Sequence, residues 1–466
     1  MISHRRTRLL LLASALAAGP TACALSDAAP GADEAVAAAD LDAQTADPSA
    51  IAPALEPLLA VGARVDLNAD GRADVCGRGA AGISCGLSTG TSFGAVTLWT
   101  SGFSDADGWS AGPWYYATIQ FPDVNGDGRA DVCGRGGNGI WCALSSGVGF
   151  TAPTLWSADY SDAGGWSAAP YYTTIQFPDV NGDGRADVCG RGAAGISCAL
   201  STGTGFTTAA LWSAAFDDVT GWGTSPAYYG TIRFPDLDGD HRADVCGRGV
   251  AGVICARSTG ASFGPVTVWA SAFGDAGGWN AGPWYYATIQ FADLDGDGRA
   301  DVCGRGVVGI SCGLSTGASF GAVTAWNTDF SDAGGWTRPQ YYTTLQLADV
   351  NGEGRADVCG RGAGGIVCAL STGTSFLPSP APQWNADFSD AAGWSAGPWY
   401  YATIRFPDVN GDGRADVCGR GIGGVVCSLS TASSFTPAVA PLWAGTYSDA
   451  GGWAAGPQYY GTIQFP

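Results

Sequence analysis

Oxygen-bearing side chains recur in a nine-residue loop that the sequence repeats seven times. In the first copy, Asp66, Asn68, Asp70 and Asp74 occupy positions 1, 3, 5 and 9, and Arg72 at position 7 can offer its backbone carbonyl. Calcium takes roughly six to eight oxygen ligands, and alternate residues of a tight loop can surround it. Glycine at position 6 permits the sharp turn that this wrapping needs. The pattern therefore predicts one Ca²⁺ per loop, up to seven in all.

The seven loops supply the candidate metal ligands at equivalent positions. They are Asp66, Asn68, Asp70, Arg72, Asp74, Asp123, Asn125, Asp127, Arg129, Asp131, Asp179, Asn181, Asp183, Arg185, Asp187, Asp236, Asp238, Asp240, Arg242, Asp244, Asp293, Asp295, Asp297, Arg299, Asp301, Asp349, Asn351, Glu353, Arg355, Asp357, Asp408, Asn410, Asp412, Arg414 and Asp416. His241 replaces glycine in the fourth copy and Glu353 replaces aspartate in the sixth. We expect these two loops to bind more weakly, and the alternative is an Asp/Gly-rich turn without metal.

The composition favours turns and short strands over long helices. The chain has 466 residues, 73 of them glycine, with 14% charged residues and a net charge of −20. A strongly acidic chain lacks the basic footprint of a nucleic-acid-binding protein, and its acidity suits either cation binding or plain solubility. Lysine is absent and His241 is the only histidine beyond the leader, so no Ser-His-Asp or Cys-His pair can be assembled. We predict that the protein is not an enzyme.

The first residues have the features of an export signal. A positive segment that includes Arg5 and Arg6 precedes the apolar run Leu9–Ala18, which is too short to span a membrane. We expect a signal peptide over residues 1–23, possible lipidation at Cys23 as the one membrane attachment, and an Ala/Asp/Pro-rich flexible tether over 24–57. Ordinary signal-peptidase cleavage is the alternative. The predicted location is secreted or on the outer cell surface.

Residues 58–466 form the repeat array, in which the loops recur every 56 to 59 residues. In the second copy Tyr115–Phe121 alternates like a strand, Ala130–Arg135 and Ile140–Ser145 form a hairpin, and Pro153–Trp156 gives a fourth strand. The predicted fold is therefore all-β, a seven-bladed β-propeller of four-stranded antiparallel blades. We expect the C-terminal strand Tyr459–Pro466 to close the ring on the first blade. One alternative is a truncated array that lacks its eighth unit. The other is that Val61–Val65 forms the first strand of the first blade.

Fourteen of the fifteen cysteines fall in seven pairs with one spacing, such as Cys76 and Cys85. A hairpin centred between them places each pair across adjacent strands, at a distance that suits a disulfide. The spacing does not decide the type of turn. Val307-Val308 would resist a type I′ turn, whereas a four-residue loop with left-handed Gly309 keeps the same register. We predict one disulfide per blade, with buried free thiols as the alternative.

Each copy also carries an aromatic-x-Asp-x-x-Gly-Trp loop. A flat ring beside a carboxylate can bind a sugar, by stacking on its apolar face and accepting its hydroxyl hydrogen bonds. The alternative is structural, with the tryptophan wedged between blades and the aspartate capping loop amides. The candidate ligand-binding residues are Asp105, Trp109, Asp162, Trp166, Asp218, Trp222, Asp275, Trp279, Asp332, Trp336, Asp390, Trp394, Asp449 and Trp453.

The Asp-x-Asn-Gly-Asp-Gly-Arg-Ala-Asp unit resembles the FG-GAP/VCBS repeats of integrin-like β-propellers, of a bacterial secreted or lipoprotein type. The resemblance implies that the loop carboxylates hold calcium. Psathyrella-type propeller lectins are similar in blade count and Asp-rich loops, and they place sugars between blades. We therefore expect a multivalent binding module for an extracellular glycan or surface protein, with carbohydrate favoured. The alternatives are an adhesion scaffold and, least, a polysaccharide-active enzyme.

Overall fold

Seven antiparallel sheets follow one another along the chain in a computed structural model that describes residues 66–466. All described residues lie in one compact unit. The predicted signal peptide, the tether, Cys23 and the segment Val61–Val65 lie outside the described residues. The described sheets confirm the all-β class.

The first four sheets have three strands each, and the later sheets have four or five. The strands of the first four sheets are β1 (Val75–Gly79), β2 (Gly82–Gly86), β3 (Thr97–Thr100), β4 (Val132–Gly136), β5 (Gly139–Ala143), β6 (Thr154–Ser157), β7 (Val188–Gly192), β8 (Gly195–Ala199), β9 (Ala210–Ser213), β10 (Val245–Gly249), β11 (Gly252–Ala256) and β12 (Thr267–Ala270). Those of the last three are β13 (Gln290–Ala292), β14 (Asp301–Gly306), β15 (Gly309–Gly313), β16 (Thr324–Asn327), β17 (Gln346–Ala348), β18 (Asp357–Gly362), β19 (Gly365–Ser371), β20 (Phe376–Leu377), β21 (Gln383–Asn385), β22 (Val417–Gly421), β23 (Gly424–Ser430), β24 (Phe435–Thr436) and β25 (Leu442–Ala444).

The strand predicted over Tyr115–Phe121 is wrong for most of its length. Its two tyrosines lie in a one-turn helix, because proline at the helix start fixes a helical φ and lacks the N–H that a strand ladder would use. Only Gln120 pairs with the neighbouring strand, as an isolated bridge to Cys133. The same helix precedes each of the second to seventh sheets, and a seventh copy follows the last sheet: α1 (Pro113–Tyr116), α2 (Ala169–Tyr172), α3 (Pro226–Tyr229), α4 (Pro283–Tyr286), α5 (Pro339–Tyr342), α6 (Pro398–Tyr401) and α7 (Pro457–Tyr460).

Further short elements complete the loops between sheets. Within residues 66–466 these are the 3-10 helices Asp162–Gly164, Trp222–Thr224, Ser271–Phe273, Asp275–Gly277, Trp394–Ala396 and Gly445–Tyr447. No helix of the described part is both long and apolar enough to cross a membrane.

The hairpins have the register that the cysteine spacing predicts. In the fifth sheet Cys303 lies opposite Cys312, and Val307-Val308 connects the strands. Gly309 has a φ of +126°, and a Cβ there would lie 2.1 Å from the Asn327 carbonyl oxygen, so glycine is required. The predicted disulfides are confirmed, with Cα atoms 4.1–4.2 Å apart, in the pairs Cys76–Cys85, Cys133–Cys142, Cys189–Cys198, Cys246–Cys255, Cys303–Cys312, Cys359–Cys368 and Cys418–Cys427.

The end of the chain contacts the first sheet. Gln464 forms an antiparallel bridge with Cys76, as Gln120 does with Cys133. The Ala73 N–H donates to the Asp408 carbonyl at 2.8 Å. The Ala130 N–H of the second repeat donates in the same way to the Asp66 carbonyl of the first repeat. The seven sheets match the predicted blade count. Each sheet among the described residues is open, and closure of the ring stays a prediction.

The apolar core lies between successive sheets. One cluster joins Ile83 and Trp99 of the first repeat to Ile119 and Val132 of the second. Another joins Val75 of the first repeat to residues near the C terminus such as Ile463. Because each sheet buries its faces against its neighbours, stability is expected to depend on nearest-neighbour interfaces, as in other repeat proteins.

Candidate functional site

The first aspartate of each loop organises the backbone around it. In the first copy, Asp66 Oδ1 accepts hydrogen bonds from the N–H groups of Asn68 and Asp70 at 3.0 and 3.1 Å, and Oδ2 accepts one from Gly71 at 2.7 Å. Gly71 has a φ of +82°, which glycine adopts without strain. These hydrogen bonds hold the loop backbone in a tight curve around the Asp66 carboxylate.

The ninth position is the most buried carboxylate of the loop. Asp74 is fully buried, and it accepts hydrogen bonds from the N–H groups of Ser88 at 2.7 Å and Leu67 at 3.2 Å. Burial raises its pKa to about 7, aided by Asp66 and Asp70, although the two amides oppose the shift. Burial raises the pKa to about 7 in every other copy as well, at Asp131, Asp187, Asp244, Asp301, Asp357 and Asp416.

Two loops bring three carboxylates within reach of a single cation. Ligand atoms of Asp236, Asp238 and Asp244 lie within 4.8 Å of one another, and so do those of Asp293, Asp295 and Asp297. Asp238 Oδ1 is buried without a hydrogen-bond partner. A buried, unpartnered carboxylate oxygen is costly unless a cation or donor meets it. Clustered oxygen donors of this kind fit Ca²⁺, so the carboxylates of these two loops are chemically suitable ligands.

Departures from the repeat change individual loops. His241 adopts the left-handed φ of +66° that glycine takes in the other copies, as the sequence predicts. Ala69 also has a positive φ, +60°, at a position where the other six copies have glycine, a departure that sequence reasoning missed. In the fourth loop, exposed Arg257 pairs with Asp238 at 3.3 Å. The first and fourth loops therefore each contain a strained residue.

A second cluster forms where each helix meets a hairpin. In the first repeat Arg78 is fully buried and donates from Nε to the Phe103 carbonyl at 2.7 Å and from Nη1 to the Gln458 carbonyl at 3.1 Å. Its Nη2 binds Asp105, whose other oxygen accepts the Tyr459 hydroxyl at 2.7 Å. We call this set the Arg-Asp-Tyr cluster.

The seven Arg-Asp-Tyr clusters are equivalent. They comprise Arg78, Asp105 and Tyr459; Arg135, Asp162 and Tyr115; Arg191, Asp218 and Tyr171; Arg248, Asp275 and Tyr228; Arg305, Asp332 and Tyr285; Arg361, Asp390 and Tyr341; and Arg420, Asp449 and Tyr400. The guanidinium also lies 5.4–5.8 Å from the tyrosine ring centroid. The carboxylates stay partly accessible, with side chains 21–42% exposed.

In three of the clusters the hydrogen-bond partners favour the ionised form of the carboxylate. Partial burial acts to raise the pKa of Asp218, but the hydrogen bonds from Tyr171 and Arg191 overcome it and hold the pKa below its usual range. The same balance lowers the pKa of Asp105 and Asp162. An ionised, partly exposed carboxylate can accept hydroxyl protons from a ligand. The structure thus gives the predicted aspartates a fixed orientation.

The stacking role predicted for the Gly-Trp tryptophans is wrong. Trp109 is 7% exposed, and its ring lies 4.6 Å from the Phe103 ring centroid and 2.8 Å from where a Cβ would stand on Gly134. It wedges against the next sheet, which is the structural alternative, so no face is free for a sugar. Equally buried, at 6–8%, are Trp166, Trp222, Trp279, Trp336, Trp394 and Trp453.

Other tryptophans lie beside the clusters and were missed by sequence reasoning. Trp114, Trp284 and Trp399 are partly exposed, each next to the tyrosine of its cluster. The Trp114 and Tyr115 ring centroids lie 6.0 Å apart. A Cβ on Gly112 would be 2.4 Å from the Trp114 ring, so glycine lets the ring fold back. Pro-Trp-Tyr-Tyr, present in three repeats, was the available signal.

The comparisons with known proteins agree with this architecture. Residues 123–189 match the model of an FG-GAP-like repeat, which confirms that predicted resemblance for one repeat. Among curated protein sequences, none matches the chain. A solved lectin from Agrocybe aegerita, described for specific recognition of non-reducing terminal N-acetylglucosamine, is 28% identical, covers 84% of this chain and 95% of its own, and has a TM-score of 0.73. The predicted similarity to propeller lectins is therefore confirmed.

Weaker structural matches add no functional argument. A Photorhabdus luminescens Tc holotoxin pore is 17% identical with a TM-score of 0.40, covering 65% of this chain and 13% of its own. The dihydro-heme d1 dehydrogenase NirN is 11% identical with a TM-score of 0.40, covering 82% of this chain and 76% of its own.

Proposed function

We propose that the protein is an extracellular, multivalent carbohydrate-binding module that recognises glycans ending in N-acetylglucosamine. The observation that carries the proposal is the partly exposed aspartate of each Arg-Asp-Tyr cluster, which a buried arginine and a tyrosine hold in a fixed orientation. The similar Agrocybe aegerita lectin supports the choice of sugar. The disulfides fit an extracellular protein.

Each cluster offers groups that suit a pyranose. The carboxylate of Asp162 accepts hydrogen bonds from sugar hydroxyls, and its contacts with Arg135 and Tyr115 fix its orientation. In this repeat the partly exposed ring of Trp114 offers an apolar surface for the sugar ring or its acetamido methyl. The clusters beside Trp114, Trp284 and Trp399 are therefore the proposed primary sites, and the other four clusters bind the sugar more weakly.

The ring is proposed to close between the first and seventh repeats. The support is the bridge between Gln464 and Cys76, together with the Ala73–Asp408 hydrogen bond. A closed ring places the clusters around one circumference. A branched glycan or a surface could then engage several weak sites together, which raises avidity without any new contact.

Calcium is proposed to act structurally. The position-1, -3, -5 and -9 oxygens of each loop would hold the ion, which would neutralise carboxylates that otherwise repel one another. The hydrogen bond from Ala186 N–H to the Asp123 carbonyl links successive loops at 2.8 Å, so ordering one loop also orders the next. The sugar-binding clusters involve different side chains, so calcium would support them indirectly.

A glycan array followed by calorimetry tests the proposal. The wild-type protein should bind glycans that end in N-acetylglucosamine, and the triple change Trp114→Gln, Trp284→Gln, Trp399→Gln should weaken binding at least about tenfold. Glutamine occupies this place in two other repeats, so the fold tolerates it. Trp141→Ser is the matched control, because serine stands at that strand position in three repeats. Absence of binding to all such glycans, or equal binding by the triple variant, would contradict the proposal.

A further inference from the structure

One residue of each hairpin turn contacts the neighbouring Arg-Asp-Tyr cluster, and its type differs among the repeats. In the second repeat the Asp162 N–H donates to the Gly137 carbonyl at 2.9 Å, and in the fifth the Asp332 N–H donates to the Val307 carbonyl at 3.0 Å. All seven hairpins make this hydrogen bond, so the turn residue keeps one place relative to the carboxylate. In chain order these residues are Ala80, Gly137, Ala193, Val250, Val307, Ala363 and Ile422.

A side chain at this place lies against the polar atoms of the cluster. A Cβ on Gly137 would be 3.3 Å from the Tyr115 hydroxyl oxygen and 3.5 Å from Asp162 Oδ2, which accepts the hydrogen bond of that hydroxyl. Glycine therefore leaves open space beside these two oxygens. Because the hydrogen bond to the turn carbonyl is the same elsewhere, Val307 and Ile422 place a branched apolar side chain in that space.

The exposure of the carboxylate agrees with this geometry. The aspartate side chain is 42% exposed in the cluster beside Gly137, the highest value of the seven, and 21% exposed in the cluster beside Val250, the lowest. The five other aspartates lie between these limits, at 31–40%. The turn residue thus limits how much of the carboxylate a ligand can reach.

Three of the turns expose a branched apolar side chain beside the carboxylate. Val250, Val307 and Ile422 are 65%, 59% and 72% exposed. Single exposed apolar residues are common on protein surfaces, but these three share one place against a polar cluster, where alanine or glycine makes the same turn in other repeats. An apolar substituent of a bound ligand can lose its contact with water on such a side chain.

Two clusters form a matched pair that differs at the turn. The cluster of Asp332 has Trp284 next to its tyrosine and Val307 at its turn. The cluster of Asp162 has Trp114 in the same place but Gly137 at its turn. The two share their polar groups and their tryptophan, so a difference in ligand preference between them reports on the turn residue.

We propose that the hairpin-turn residue sets the sugar specificity of each cluster. Beside Val307 and Ile422 the cluster selects a sugar with an apolar substituent, such as the methyl of an N-acetyl group. A bare hydroxyl placed there would lose hydrogen bonds to water without gaining a partner. Beside Gly137 the open space admits a hydroxyl with its water, so an unsubstituted hexose is rejected less strongly. The inference rests on the proposed sugar binding and makes the sites unequal in kind as well as in strength.

Fluorine NMR of the whole protein labelled with 5-fluorotryptophan reads the two clusters separately, through Trp114 and Trp284. Trp114→Gln and Trp284→Gln assign the two resonances. Titrations with the methyl glycosides of N-acetylglucosamine and of glucose then give the ratio of the two affinities at each resonance. The ratio should favour the N-acetyl sugar about fourfold more at Trp284 than at Trp114, which is the effect of burying one further methyl group.

Exchanging the turn residues should exchange the preference. Gly137→Val should raise the affinity ratio at Trp114 about fourfold, and Val307→Gly should lower it at Trp284 by the same factor. Valine and glycine both occur naturally at this place of the hairpin, so both variants should fold. A change in the ratio at only the altered cluster separates a local effect from a general loss of structure.

Val308→Ala is the matched control. Val308 is 58% exposed, like its neighbour, but a Cβ on Gly364, its counterpart in the sixth repeat, would be 3.7 Å from the Gln383 side chain on the outer strand. The affinity ratio should therefore not change in this variant. Equal ratios at the two clusters, or ratios that the exchanges leave unchanged while both sugars bind, overturn the inference and leave the sugar-binding proposal standing. Resonances that respond to neither sugar overturn both.

Discussion

Replacing Trp166 by alanine tests whether the Gly-Trp rings hold the sheets together. The ring is 8% exposed, lies 4.7 Å from the Tyr160 ring centroid, and packs where a Cβ on Gly190 would be 2.8 Å away. Burying such a ring is worth about 5 kcal/mol at 25 cal/mol per Å² over roughly 200 Å². Substitutions of this kind cost about 3–5 kcal/mol. Because the ring edge reaches solvent, water can enter the cavity that the substitution leaves. We therefore expect Trp166→Ala to lower the free energy of unfolding by about 3–4 kcal/mol, near the lower end of that range.

Urea unfolding in calcium measures the loss, and hydrogen exchange locates it. Because the interface joins the second and third sheets, amides of β4 and β7 should lose protection first. Trp166→Phe, which keeps a ring, should cost about 1–2 kcal/mol. Trp141→Ser, on a partly exposed strand position, should cost less than about 0.5 kcal/mol. A Trp166→Ala protein of wild-type stability that has lost sugar binding would refute the wedge and restore the stacking interpretation.

Three other changes test separate parts of the structure. Removing calcium with a chelator should lower the unfolding midpoint in calorimetry, because the clustered loop carboxylates then repel one another; an unchanged midpoint would show that no structural calcium binds. Gly309→Ala should lower the free energy of unfolding by more than about 2 kcal/mol, because its Cβ would meet the Asn327 carbonyl. Gly335→Ala is the control, with open space around it, and should cost about 1 kcal/mol. Equal losses of unfolding free energy in denaturant melts would contradict the close approach at Gly309. Tyr171→Phe should raise the pKa of Asp218, read by carboxyl NMR titration, and an unchanged pKa would mean that the hydroxyl does not hold it.

Repetition made the sheets, hairpin register and disulfides predictable from the sequence. A single spacing of paired cysteines fixes the register wherever it recurs, and Gly309 marks the close approach that sets the turn. The tyrosine segment failed because alternation alone does not distinguish a short strand from one helical turn. Pro113 decided between them locally.

The candidate site was only half visible in the sequence. The motif located Asp162 but did not single out its partner Arg135, which lies 27 residues earlier in the chain. Burial of Trp166 depends on the adjacent sheet, where glycine makes room for the ring. In the sequence, a tryptophan buried between repeats shows the same periodic pattern as an exposed tryptophan. Trp114 was overlooked because only some repeats carry it.

A crystal structure of the protein with a disaccharide ending in N-acetylglucosamine would show which residues hold the sugar. We expect sugar density against Asp162, Asp332 and Asp449, beside Trp114, Trp284 and Trp399. Sugar bound at the calcium loops, or only at repeats that lack these tryptophans, would contradict it, as would a saturated crystal without bound sugar.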